Sequence, residues 1–136
     1  MRHRDRNASM IQSDDEISAY HDAGHCIFAE LLEVPVRSIT INPPARCTLT
    51  LRGVLTIMFD EDKRAIFFLS GMIVQRFYYS SVPITSKNDQ AVLWGLPEYR
   101  RETYESFIGE QLADPIVRND IETLAARLLT EISILF

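Results

Sequence analysis

Cysteine is scarce in this chain, with only Cys26 and Cys47 among 136 residues. Two thiols make no disulfide framework, and they lack the C-x-x-C spacing of thiolate metal sites. Cys26 and Cys47 therefore read as small residues of a reducing, cytoplasmic protein, Cys26 buried. Basic excess is also missing: the formal charge is −5, whereas a nucleic-acid-binding domain presents a basic stripe. No nucleic-acid role is expected. The longest largely apolar run, Ala65 to Val74, is about half of a membrane span and contains Ser70 and Gly71. It reads as a core helix, so no membrane anchor is expected. The polar N-terminus has no apolar h-region, so no signal peptide is expected. Histidine is rare too, at three residues, and two of them stand together.

The remaining composition, 46% apolar and 24% charged, suits one globular domain. Residues 1–12, with Arg2, His3, Arg4 and Arg6, are expected as a flexible, solvated tail, and residues 13–136 as the domain. Ser13-Asp14-Asp15-Glu16 reads as a capping box opening a helix. Its apolar stripe runs through Ile17, Tyr20, Gly24, Ile27, Phe28 and Leu31, with His21 and His25 on the border and Asp22 farther round. Pro35 ends it.

Val36 to Ile41 alternates and predicts a strand leading into the Asn42-Pro43-Pro44 turn. Cys47 to Leu51 and Val54 to Phe59 predict two further strands. Asp60-Glu61-Asp62 opens a core helix to about Tyr78. A polar loop, Ser80 to Ser86, precedes a third helix from Asn88-Asp89-Gln90 to about Gly95. Pro97 and Asp114-Pro115 each mark a helix start with proline at the first helical position. The last helix carries an apolar face of Val117, Ile121, Leu124, Leu128, Ile132 and Leu135. The fold class read from these elements is α+β, mainly α-helical, with a small N-terminal sheet.

The chemistry concentrates in His21-Asp22-Ala23-Gly24-His25. Histidines four apart on a helix lie one turn from each other, so both imidazoles reach one metal ion. A carboxylate after the first histidine stands where H-E-x-x-H zinc peptidases keep their general base. Here it is aspartate. A catalytic zinc takes three protein ligands and leaves a fourth position for water. His3 lies in the expected tail and neither cysteine has supportive spacing, so a carboxylate from far along the chain is the expected third ligand. There are 19 acidic side chains, and composition does not choose among them.

Ala19-Tyr20-His21-Asp22-Ala23-Gly24-His25 resembles the A-Y-H-E-A-G-H signature in the peptidase domain of FtsH-type ATP-dependent zinc proteases. Val36-Arg37-Ser38-Ile39-Thr40-Ile41-Asn42-Pro43 is similar to the strand after the zinc helix in that family. Leu69-Ser70-Gly71 stands where the family has an L-x-G segment, and Thr85-Ser86-Lys87-Asn88-Asp89 resembles the stretch whose aspartate completes the zinc site. The resemblance spans residues 14 to 133.

What it implies is a zinc metallopeptidase-like protein with His21, His25 and Asp89 as ligands of Zn2+ and Asp22 as the catalytic base. Asp89 has a second reading, as an acidic residue stabilising a helix start. The chain departs from the family in three ways. Asp22 is one methylene shorter than glutamate. The acidic pair after the central glycine is replaced within Met72-Ile73-Val74-Gln75-Arg76. No G-x-x-x-x-G-K-[ST] phosphate loop occurs. Peptides or unfolded proteins are the expected substrates, with room for a separate ATPase partner and a homo-oligomer. The alternative expectation is a catalytically impaired homologue acting as a binding or regulatory module.

Overall fold

A computed structural model describes residues 2–79 and 96–136, giving only the backbone path of 2–13 and of 98–99. The described elements are α1 (Arg2–Leu31), β1 (Val36–Thr40), β2 (Arg46–Leu49), α2 (Leu51–Met58), α3 (Glu61–Tyr78), α4 (Glu98–Leu112), α5 (Pro115–Glu131) and β3 (Ser133–Leu135). The expected mainly α-helical α+β class holds: a helical body carries one three-stranded antiparallel sheet of order β2-β1-β3. The third helix read from Asn88-Asp89-Gln90, and the loop before it, lie outside the described residues.

Helix α1 continues upstream of Ser13 to Arg2, so Ser13 is not its N-cap. Its C-terminus closes before Pro35. Glu33 takes φ 59°, Glu33 N–H donates to the Glu30 carbonyl at 3.1 Å, and Val34 N–H donates to the Ala29 carbonyl at 2.8 Å. That pair of bonds is a Schellman closure with proline just beyond it.

The β1 strand falls where alternation placed it, with Ile39 opposite Cys47 on one side and Ile134 on the other. Val54 to Phe59, expected as a strand, instead forms the last turns of α2, with Phe59 as its C-cap. Thr50 Oγ1 accepts from Gly53 N–H at 3.0 Å, which caps a helix, and Gly53 and Ile57, four apart, face inward. For an apolar run this short, period 2 and period 3.6 are hard to separate.

Helix α3 follows its acidic start, Asp60 capping Lys63 N–H at 3.0 Å. In α5, Pro115 occupies the first turn behind the Asp114 cap, as expected. Pro97 sits at the N-cap of α4 rather than inside the helix. The apolar face expected of the last helix breaks after Leu128: Ile132 takes φ 67°, and the chain leaves as β3, with Ile134 entering the core.

Helices α3 and α5 flank α1, and the core gathers Ala19, Ala23, Phe28, Leu69, Val74 and Ile121 among others. Gly24 lets α1 approach α3: a Cβ there would stand 2.8 Å from both Cβ and Cγ2 of Val74. Gly24→Ala is expected to destabilise the fold by about 1–2 kcal/mol, overpacking outweighing the gain in helix propensity. In urea unfolding, the double variant with Val74→Ala should lose less than the sum of the two single changes.

Candidate metal centre

The crossing of α1 and α3 brings the two histidines together. Phe67, Gly71 and Gln75 stand four apart on α3 and form one stripe, which faces His21 and His25 on α1. His25 Nδ1–H donates to the Phe67 carbonyl oxygen at 2.7 Å, and His21 Nδ1–H donates to Gln75 Oε1 at 2.8 Å. Between them lies Gly71, whose bare Cα makes room for both rings: a Cβ there would overlap His25 Nε2 and stand 2.7 Å from His21 Nε2. His25 and Gln75 are buried, and His21 is half-buried.

The two Nε2 atoms approach each other at 3.1 Å, with ring centroids 4.8 Å apart and planes inclined by 72°. A neutral imidazole carries one ring proton. With each proton donated through Nδ1, both Nε2 atoms present lone pairs that one cation could share. Two nitrogens bound at about 2.0–2.1 Å to a tetrahedral ion stand about 3.3–3.4 Å apart. The observed separation is within a few tenths of that value, so the donor pair fits zinc. Each ring also has the Nδ1 acceptor that orients metal-ligating histidines. The Phe67 carbonyl is itself positioned, accepting a second side-chain bond from Ser70 Oγ at 2.6 Å.

Asp22 lies farther round the helix than the histidines and is buried there, with 2% of its surface exposed. One residue turns a helix by about 100°, so Asp22 shares the flank of Cys26, four residues on, and the sheet covers that flank. Burial pushes the Cys26 thiol up to about 12, with the Glu30 and Asp22 carboxylates adding to it. Cys47, on β2, is raised as well, first by burial and then by Cys26 and Asp22. Both thiols stay protonated at neutral pH and are poor metal ligands in that state.

Asp89 lies outside the described residues, and among the described residues no group of three His, Cys, Asp or Glu side chains converges. The site residues not singled out by sequence reasoning are the Phe67 carbonyl, Ser70 and Gln75. Gln75 had one signal, its place in the Met72-Ile73-Val74-Gln75-Arg76 stretch where the acidic pair is replaced.

Substituting Gly71 separates site from scaffold. The atoms that a new Cβ meets are the far ends of two side chains, so Gly71→Ala should cost less than about 1 kcal/mol in urea unfolding, while displacing both Nε2 atoms. Zinc affinity, measured by competition with a chelator, should fall at least about tenfold, the scale expected when metal ligands are misoriented.

No family model matches the chain, and no solved structure matches it. It is similar to the ATP-dependent zinc metalloprotease FtsH 1 of Thermoanaerobacter sp. (strain X514), with 25% identity over 155 aligned positions. The alignment covers 93% of this chain and 24% of that protein, so the chain spans about a quarter of the relative's length. The likeness supports a distant relationship to FtsH. No described helix is long and apolar enough to cross a membrane.

Proposed function

We propose that the chain is a zinc metallopeptidase-like protein related to the protease part of FtsH, acting on peptides or unfolded protein segments. The observation that carries the reading is the facing pair of Nε2 atoms at 3.1 Å, each ring oriented through its Nδ1. His21 and His25 hold the ion, and Asp89 supplies the third ligand. Bound zinc lowers the pKa of its water and polarises a scissile carbonyl. Asp22 is the residue that would hold and return a proton beside the ion.

Proton transfer by a side chain needs a reach of about 2.6–3.2 Å and contributes ~10²–10⁴-fold. Aspartate withdraws its carboxylate from the glutamate position by roughly one C–C bond, ~1.5 Å. Zinc binding survives that change because Asp22 is not a ligand, whereas turnover slows. The same shortening favours a second reading, a peptidase homologue that has kept its shape and metal as a binding or regulatory module. A separate ATPase acting on the same substrates is compatible with either.

Protein loaded with zinc and passed through a desalting column is expected to hold about one equivalent per chain. Less than about a tenth of an equivalent overturns the metal assignment. On a denatured, fluorescently labelled protein, hydrolysis should vanish with His21→Ala. It should rise at least about tenfold with Asp22→Glu, from restored general base catalysis. Thermal midpoints of both variants separate loss of chemistry from loss of fold. Metal uptake without any hydrolysis in the wild type or in Asp22→Glu would favour the binding module.

A further inference from the structure

We propose that the outer face of α2 is a docking surface for a second copy of this chain, the two helices packing antiparallel about a two-fold axis at Leu55. The inference stands apart from the metal-centre reading.

Leu51, Val54, Leu55, Met58 and, at the C-cap, Phe59 are all exposed, Leu51 by 77% and Phe59 by 84%. Spacings of three and four set them on one helical stripe. A surface helix ordinarily turns such a stripe toward the core. Here Gly53 and Ile57 already fill the inward side, so α2 is apolar on two faces and the outer one meets water. Arg52 and Thr56 lie together on one seam between those faces.

The helix is held so that this face stays outward. Thr50 caps its N-terminus through Gly53 N–H at 3.0 Å, and Thr50 N–H donates to the Pro35 carbonyl at 3.1 Å. A Cβ on Gly53 would overlap that same Pro35 oxygen. At the other end the Arg64 guanidinium donates to the Ile57 and Met58 carbonyls at 2.9 and 3.1 Å. With both ends fixed, the apolar stripe belongs to a rigid element.

Charge selects the occupant and its direction. Arg52, the one charged residue of α2, is exposed and makes no ion pair among the described residues. Beyond the far end of the stripe come Asp60, Glu61 and Asp62, with Glu61 paired to Arg100; Lys63 follows half-buried, and Arg64 is engaged with the carbonyls of α2. Antiparallel helices related by a two-fold axis bring like flanks together, each contact made twice. Along the axis Arg52 stands about 4.5 Å to one side of Leu55 and Phe59 about 6 Å to the other, on nearly the same flank. Each guanidinium therefore meets the Phe59 ring of the second copy, a cation–π contact, with the Asp60 carboxylate next to it. A parallel pair would set guanidinium beside guanidinium and acidic turn beside acidic turn. The acidic border and the formal charge of −5 repel an anionic membrane surface.

The stripe is about 500 Å², in the range of single surface patches, against about 800 Å² per partner in a standard interface. The pair is accordingly weak, with a dissociation constant of about 10–100 μM.

Sedimentation equilibrium of the full chain from about 1 to 300 μM is expected to show a monomer–dimer equilibrium in that range. Leu55→Lys and Leu55→Glu should each weaken it at least about tenfold. An equimolar mixture of the two should restore it, because residue 55 faces itself across the axis. Arg52→Glu should weaken it about threefold or more, and thermal midpoints at low concentration should match wild type, since these side chains are exposed. A wild-type monomer throughout the range, or a dimer that Leu55→Glu leaves intact, overturns the proposal. Failure of the mixture to associate overturns the two-fold arrangement. Monomeric protein that floats with phosphatidylcholine vesicles, and loses this with Phe59→Ser, overturns the proposal and gives the face to lipid. Where the Leu55 variants fail to fold, the wild-type series and Arg52→Glu decide.

Discussion

The close approach of α1 to α3 is the constraint on which the rest depends. Two glycines permit it, one on each helix. Gly24 leaves space for the Val74 side chain, and Gly71 leaves space for the His21 and His25 rings. The pairing runs His25 with Phe67 and His21 with Gln75, so the helices cross in opposite directions and share two successive turns. Each imidazole is held from behind by an acceptor on α3 and is left with one nitrogen aimed at its neighbour. Packing that dense specifies ring orientation more tightly than side-chain rotamer preferences do.

The chemical character of the site follows from what surrounds those rings. Both Nδ1 acceptors are neutral, a backbone carbonyl and an amide, where carboxylates often orient metal-bound histidines. The carboxylate beside His21 is the shorter of the two acidic side chains, and it is buried on the flank shared with Cys26. Aspartate for glutamate and amide for carboxylate alter how protons are held and moved, while the two imidazoles keep a spacing that suits a metal. On the proposed reading, ligation and turnover separate for that reason.

Much of this architecture was legible in the residues. The α3 helix followed from Asp60-Glu61-Asp62 and an apolar circumference, β1 from alternation, and α5 from Asp114-Pro115, because each signal is local. The histidine pair was legible for the same reason, since helical spacing alone sets two rings a turn apart. Local signals failed where tertiary context decides. Val54 to Phe59 is apolar enough for either period, and the Thr50 cap with Ile57 packed inward makes it α2. The stripe of α5 runs on in sequence through Ile132 and Leu135, yet the chain turns at Ile132 and pairing with β1 draws Leu135 into β3. Gln75 stood out only as part of the stretch that replaces an acidic pair; its contact with His21, 54 positions away, becomes visible only when the helices are packed.

The central claim is that two ring nitrogens and a distant acid group share one cation. Anomalous scattering at the zinc absorption edge, on crystals grown with the metal, tests it most directly. The account predicts a single strong peak about 2.0–2.1 Å from Nε2 of His21 and of His25, with a carboxylate oxygen of Asp89 completing the protein ligands. A peak elsewhere, or an Asp89 side chain remote from both imidazoles, would contradict it.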